Sequence, residues 1–342
     1  MNKMTLDMPF GGKGQKASRL RASNTHRGSK AEFKVDVLAL GCTAVDDLIY
    51  VATFPTADGK TPVLRRERQC GGLAATALVA AARYGVRCAY AGILGYDDAS
   101  QFVLDTLSRE GVDVSTVGRH RHATPIQSII IVGKQGGMRS VLFSTDGVSG
   151  AGENSPSKRE ILSARVLLVD TFGVSGMLRA ARIAREGGLP VVADFEESNI
   201  EAAKTLLPWV DHLIVPAEFA CRLAKTASPS DACRQLLPVG RSEFPRSVVI
   251  VTCGEKGCYS YTGQNSSPEA WPAYKVPVVD TTGCGDVFHG AYAAALAKGF
   301  SLPERIQIAS AAAAMKATRP GGQAGIPKRA ALHKFLKTRR WT

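Results

Sequence analysis

The sequence predicts a three-layer α/β/α domain with a mainly parallel central sheet and a small β-sheet lid. Apolar stretches of strand length alternate with helix-length stretches of roughly 10–15 residues, the rhythm of βαβ units. The strand stretches are nearly continuous in Val, Ile, Leu and Ala, as strands buried on both faces require. Two β-rich pairs near the start of the chain break that rhythm and supply the lid.

The elements follow in order. VDVLALGC (35–42) reads as a buried strand, and GLAATALVAAARYG (72–85) as a helix stopped by Gly85. RCAYAGILG (87–95) is read as one strand, DASQFVLDTLSREG (98–111) as a helix with a Gly stop. VLLVD (166–170), MLRAARIAREGG (177–188), PVVADF (190–195), HLIVP (212–216) and SVVIVTCG (247–254) continue the alternation. The lid pairs are IYVATFPTADGKTPVLRRERQ (49–69), around a Gly turn, and IQSIIIVGKQGGMRSVLFS (126–144), a hairpin around KQGG. The lid therefore spans about 49–69 and 124–145, and its face or edges offer a surface for a homodimer.

The formal charge of +13 belongs to the ends of the chain. Residues 1–34 hold eight Lys/Arg against two Asp/Glu, and residues 328–342 hold six Lys/Arg and no acid. A nucleic-acid-binding domain concentrates basic charge on the folded body, so no nucleic-acid partner is expected. Residues 1–34 are read as a disordered basic tail, 35–336 as the folded domain and 337–342 as a second basic tail. GGKG (11–14) lacks phosphate-loop spacing and a preceding strand. No apolar run reaches the length of a membrane span. The eight cysteines form no CxxC pair and lack metal-ligand spacing with histidine, which suits reduced thiols in a cytoplasmic protein.

The densest chemistry lies in VVDTTGCGDVFHGAYAAALAKG (278–299), where a strand-like run meets an alanine-rich helix through Thr, Gly and Asp. Backbone N–H groups at a helix start have no intrahelical partner, and the helix dipole favours an anion there. Gly283, Cys284 and Gly285 leave those donors accessible, and Asp286 follows in the first turn. An isolated Gly-Asp is most simply a helix-start acid contributing about 0.3–1 kcal/mol. Beside an anion pocket, the carboxylate also suits phosphoryl transfer, taking the proton of an acceptor hydroxyl. No GxGxxG follows the first strand, which argues against a dinucleotide-dependent dehydrogenase.

VVDTTGCGDVFHGAYAAAL resembles the C-terminal signature of the PfkB (ribokinase-like) carbohydrate kinases, and CGGLAATALVAAARYGVRCAYAGILGYDD (70–98) resembles their N-terminal signature. The similarity runs from about residue 35 to about 336. PTADGK, GGLAATALVAAARYG, DTTGCGDVFHGA and KATRPGGQAGIP look closest to the sulfofructose kinase branch. The resemblance implies a ribokinase-like fold and transfer of the γ-phosphate of Mg-ATP to a sugar hydroxyl, with a nucleoside kinase or a non-catalytic sugar- or nucleotide-binding protein as alternatives. It implies Asp286 as base and Gly283, Cys284 and Gly285 as anion hole, with Cys284 standing where the family usually has Ala. A thiol at a helix N-terminus is open to activation.

By the same resemblance Asp46, Gly59, Lys60, Gly71, Gly72 and Thr76 would contact the sugar. Asp46 is preferred to Asp47 because neighbours on a strand face opposite ways. Thr252, Gly254 and Gly257 of TCGEKG, together with Thr282 and Gly322, would serve the nucleotide. Residues 309–317 and 320–325 would surround adenine and ribose, and Asp280 and Thr282 would border a monovalent cation such as K⁺. The family's NxxE motif is missing: its Asn and Glu positions are Ala217 and Ala220, with Glu218 between. Phe143 and Phe172 stand where the sulfofructose branch has polar and cationic contacts, with Arg65, Arg66, Arg68 and Arg139 in the lid as compensating cations. A neutral sugar or polyol is the favoured acceptor.

Overall fold

The computed structural model describes residues 34–133, 139–196, 199–238, 243, 245–339 and 341. The first basic tail up to residue 33, with its GGKG, and the KQGG turn lie outside the described residues.

The chain enters the main sheet with β1 (Val35–Ala39) and leaves it at once for β2 (Ala44–Val51) and β3 (Val63–Gly71). It returns through α1 (Leu73–Tyr84) to β4 (Cys88–Tyr90), then β5 (Ile93–Leu94), α2 (Asp98–Arg109), β6 (Val112–Asp113) and β7 (Gly118–Arg119). The hairpin strands β8 (Ile126–Gly133) and β9 (Arg139–Ser144) follow. Regular alternation then resumes with α3 (Lys158–Leu162), β10 (Ala164–Val169), α4 (Val174–Glu186), β11 (Val191–Asp194), α5 (Ile200–Leu206) and β12 (His212–Pro216). The remainder is α6 (Ala217–Ala224), α7 (Pro229–Leu236), β13 (Val248–Thr252), β14 (Cys258–Tyr261), β15 (Glu269–Trp271), α8 (Cys284–Ala297), α9 (Leu302–Ala317) and α10 (Arg329–Thr338).

The main sheet runs β15-β14-β13-β12-β11-β10-β1-β4-β6, parallel from β13 to β6 and antiparallel at β14 and β15. Successive residues of each strand feed opposite cores. Val37 and Ala39 join Val166, Leu168, Val192, Ile214 and Ile250 beneath the helices that include α1, α8 and α9. Leu38 and Leu40 join Leu167, Val169, Val191, Leu213 and Val251 against α4 to α7. Burial of both faces explains the continuous apolar runs.

The small sheet has the order β3-β2-β8-β9, with β2 parallel to β8 and the outer pairs antiparallel. It begins at Ala44, earlier than the lid boundary expected from sequence, so Asp46 and Asp47 belong to it. The run 87–95 is two strands. After Tyr90 the chain turns out of the main sheet, and β5 pairs with β7 in a separate ribbon. The C-terminal residues also differ from a free tail. α10 extends to Thr338, and Trp341 stacks on Trp271 at 5.0 Å between ring centroids.

Candidate active site

The parallel strands end in carboxylates on the side where their connections converge. Asp194 closes β11, Asp170 follows β10, and Glu196 lies two residues beyond Asp194. Ligand sites of open α/β sheets lie outside such carboxyl ends. α8 starts at the same end. Gly283 is its N-cap at φ 74°, a left-handed conformation, and an added Cβ would sit 3.1 Å from Gly322 O. Gly285 faces open space.

The Cys284 N–H already donates to Thr281 O at 3.1 Å, which removes it from the set of available donors. The N–H groups of Gly283 and Gly285 have no acceptor among the described residues. The Cys284 thiol donates to Ala313 O, and burial raises its pKa despite the nearby Lys316 ammonium. It is therefore not an activated thiol, because desolvation outweighs the helix start.

Asp286 lies in the first turn of α8. Burial pushes its pKa well above the ordinary carboxylate value, and the charges of Asp194 and Glu196 push it further, with His289 opposing. His289, one turn on, is 3% exposed. Its Nδ1 lies 2.8 Å from Gly285 O and its Nε2 2.9 Å from Ile214 O. Both partners are carbonyl acceptors, so each contact calls for a proton on the ring, while burial lowers the His289 pKa against the opposing pull of these carbonyls and of Asp286 and Glu196. Asp194 Oδ2 is 3.2 Å from the same Nδ1 yet has no hydrogen-bond donor among the described residues. Asp170 accepts from the N–H groups of Cys42 (2.7 Å) and Phe172 (2.8 Å); burial nevertheless raises its pKa to about 7.

Asp280 is held from several sides. Its Oδ1 accepts from Thr282 N–H at 2.9 Å and its Oδ2 from Gly321 N–H at 2.8 Å. Arg139 of β9 approaches Oδ1 at 3.4 Å and donates to Thr282 Oγ1. Lys316, 0% exposed near the end of α9, donates from Nζ to Asp280 O at 2.9 Å. Burial works against the Asp280 charge, but these hydrogen bonds and Lys316 outweigh it and hold the pKa below the ordinary value.

On the acceptor side, Asp46 of β2 lies between Gln69 and Ser128 in register. Burial raises its pKa, with the Ser128 hydrogen bond opposing. A Cβ on Gly71 would stand 2.6 Å from Asp46 Oδ2, and one on Gly72 (φ 87°) only 2.5 Å from Thr43 Cα. Asp47 points the other way and forms two 2.9 Å hydrogen bonds with Arg68. Phe143 pairs with Ser128 and so shares the Asp46 face. Thr76, buried in α1, accepts from Gln323 Nε2 at 3.5 Å and lies beside Gly283. Gly59 and Lys60 occupy the exposed loop between β2 and β3, where Gly59 N–H closes a turn on Thr56 O. Among the described residues no hydrogen bond or ion pair joins them to Asp46 or Asp286.

Thr252 ends β13, and the following turn carries Gly254 (φ 58°) and Gly257 (φ 90°). A Cβ on Gly257 would lie 1.9 Å from Trp271 O, so that position admits only glycine. A cavity of about 420 Å³ opens here, lined by Ala217, Pro229, Thr252, Cys253, Lys256 and Tyr259. It adjoins this turn, and none of its lining residues belongs to the Asp286 loop. Part of the segment 320–325 packs at the start of α8: Gly321 N–H donates to Asp280, Gly322 meets Gly283, and Arg83 donates to Gln323 O at 2.9 Å.

The pfkB family carbohydrate kinase model matches residues 36–329. The chain belongs to the pfkB family of carbohydrate kinases. Among curated relatives of this pfkB kinase, ribokinase of Haemophilus influenzae is 28% identical, covering 87% of this chain and 97% of the relative. Aminoimidazole riboside kinase of Salmonella typhimurium is 27% identical, over 78% and 88%. Among solved structures, ribokinase of Thermotoga maritima superposes with a TM-score of 0.78 at 23% identity, covering 89% of this chain and all of the other. Arabidopsis thaliana ribokinase complexed with ribose and ATP gives 0.79 at 20% identity, covering 89% and 99%. The fold is ribokinase-like, and the pfkB enzyme is a phosphotransferase with an alcohol acceptor.

Asp170, Asp194 and Glu196 of this pfkB kinase lie outside the motifs that mark the site in the sequence, and His289 and Lys316 lie within them without an individual role. The usable signal was the position of Asp170 and Asp194 at the ends of apolar strand runs, since such ends face the ligand crevice. Lys316 and His289 lie inside alanine-rich helices, where one polar residue carries no periodic signature.

Proposed function

We propose that the protein transfers the γ-phosphate of ATP to a hydroxyl of a neutral sugar or polyol. One arrangement carries the reading: the Asp286 carboxylate beside the unpartnered N–H groups of Gly283 and Gly285 at the start of α8. Asp46 and the glycine pair Gly71–Gly72 hold the acceptor. Asp286 takes the hydroxyl proton as the oxygen attacks, an effect worth roughly 10²–10⁴ in rate. The two N–H groups and the helix dipole meet the charge on the transferring phosphoryl group, and one such donor contributes about 2.7–4 kcal/mol.

The nucleotide lies along the turn of Thr252, Gly254 and Gly257 toward Thr282 and Gly322. Mg²⁺ supplies charge neutralisation of the phosphates when bound. No group of three or more His, Cys, Asp or Glu among the described residues forms a metal cage. The buried Asp194 Oδ2 without a donor, next to Glu196, nevertheless fits a cation that takes one or two carboxylates and otherwise phosphate and water. Asp194 and Glu196 would hold it, in place of the lost NxxE pair. The monovalent cation suggested by family resemblance would meet an Asp280 carbonyl that already accepts from Lys316.

Two observations favour a neutral acceptor over the sulfonated one of the sulfofructose branch. Phe143 shares the Asp46 face, and three of the four lid arginines are engaged: Arg65 with Glu67, Arg68 with Asp47, and Arg139 with Asp280 and Thr282. A nucleoside acceptor is the second reading, favoured by the likeness to aminoimidazole riboside kinase. The intact Gly-Cys-Gly-Asp sequence weighs against a non-catalytic binding protein. Exposed Ile129 and Leu142, paired on the face opposite Asp46, support a homodimer through the small sheet. Eight free cysteines suit a cytoplasmic setting.

The test is ADP release across ketoses, aldoses, polyols, a sulfosugar and nucleosides, with Asp286→Asn as control. The variant should lose about 10²–10⁴-fold in kcat with the acceptor KM little changed. Full activity in the variant would remove Asp286 as the base.

A further inference from the structure

The residues expected to border a monovalent cation do not fit one, and the misfit has a specific cause. Family resemblance places K⁺ beside Asp280 and Thr282, held by carbonyl oxygens. Here the Asp280 carbonyl accepts from the Lys316 ammonium at 2.9 Å. The Asp280 carboxylate is engaged by Thr282 N–H, Gly321 N–H and Arg139, and Thr282 Oγ1 also accepts from Arg139. We propose that Lys316 is a built-in replacement for the monovalent cation, an ammonium fixed beneath the anion hole that makes phosphoryl transfer independent of K⁺. The proposal rests on the kinase reading and deepens it.

The packing supports permanent occupancy. Lys316 has no exposed surface. Burial lowers the Lys316 pKa, and the negative charge of Asp280 and Asp286 opposes that shift, while the hydrogen bond to Asp280 O fixes the amine in place. The residues ahead of it on α9, Ala311 to Ala314, are small, and α9 packs on α8 along much of its length. The lysine side chain can therefore reach across to the loop before α8. Gly325 packs against the Lys316 backbone, where an added Cβ would stand 2.3 Å from Lys316 O, and so holds the end of α9 in place.

An ammonium and a potassium ion carry the same charge and are of similar size, and both prefer several oxygen neighbours. A free cation entering here would meet both Lys316 and Arg139. Repulsion from one unit charge at about 4 Å weakens binding on the order of 10³-fold at an effective dielectric near 20. Lys316 differs from a bound ion in that it cannot dissociate. The enzyme would gain constant charge beneath the phosphoryl site and lose any response to K⁺.

The experiment compares wild type and Lys316→Met in buffers of K⁺, Na⁺ or tetramethylammonium at equal ionic strength. ADP formation and melting temperature are read in each. Wild type should show the same rate and melting temperature in all three. Lys316→Met should fall about 10²-fold in tetramethylammonium, as on loss of one electrostatic contact to the transition state. K⁺ should restore much of its rate and raise its melting temperature. Activation or thermal stabilisation of wild type by K⁺ over tetramethylammonium would overturn the proposal. So would a Lys316→Met protein that keeps the wild-type rate without K⁺, or whose melting temperature ignores K⁺. The wild-type arm decides even if the variant does not fold. The thermal readout decides if no acceptor turns over, which separates this proposal from the kinase reading.

Discussion

Gly290→Ala should move the catalytic carboxylate without touching it. Gly290 lies one helical turn beyond Asp286, where α8 crosses α1. A Cβ at this position would be 2.0 Å from Ala77 O, 2.7 Å from Ala77 C and 2.8 Å from Ala77 Cα. All three are backbone atoms, so no rotamer change can relieve the contact. Ordinary van der Waals separation begins at 3.4 Å, and the helices must part by roughly 1.4 Å to reach it. Overpacking of a filled core costs about 1–3 kcal/mol, and a backbone obstacle puts this variant at the upper end. A 1 Å misplacement of a reacting group costs about 10² in rate. The expected result is therefore a folded protein with kcat reduced about 10²-fold. Its melting temperature should fall by several degrees, and the KM for ATP should move less than kcat because the Thr252 turn is on β13. The assay is steady-state ADP release on the preferred acceptor, beside a melting curve. Wild-type kcat with an unchanged melting temperature would refute the close crossing of α1 and α8, and with it the placement of Asp286.

Other outcomes follow from the same geometry. Asp286 acts as a carboxylate, and its pKa is raised by burial and by Asp194 and Glu196, so activity should fall as pH drops. The midpoint should lie above the value near 4 of an ordinary aspartate, and a pH profile of kcat/KM with an acid limb at or below that value would contradict the enclosed site. Leu142, 56% exposed on edge strand β9, should help join two copies. Leu142→Glu should convert a dimer to a monomer in sedimentation, whereas a wild type already monomeric at high concentration would remove the interface.

The local patterns were readable wherever local physics decides. Strands β1, β11, β12 and β13 lie within the apolar runs and β10 overlaps its run but starts two residues earlier, because a parallel strand covered on both faces must be apolar throughout. α1 ends at Gly85 (φ 92°), as its glycine stop predicts. Asp46 and Asp47 face opposite ways because side chains alternate along a strand. The run 87–95 misled because composition cannot show where a strand leaves one sheet for another. Cys284 misled because its N–H is committed by a turn and its thiol by burial, and neither fact is local to the motif.

The sequence by itself determined the class of fold, the family and the Gly-Cys-Gly-Asp loop at the start of α8. Each depends on short-range spacing that survives in a linear string. Tertiary structure alone decided which charges surround that loop. Asp194 reaches Asp286 through the order of the parallel strands, and Lys316 reaches Asp280 through the packing of α9 on α8. Electrostatic effects depend on distance and burial through space, and residues 92 and 36 positions apart in the chain carry no mark of being neighbours.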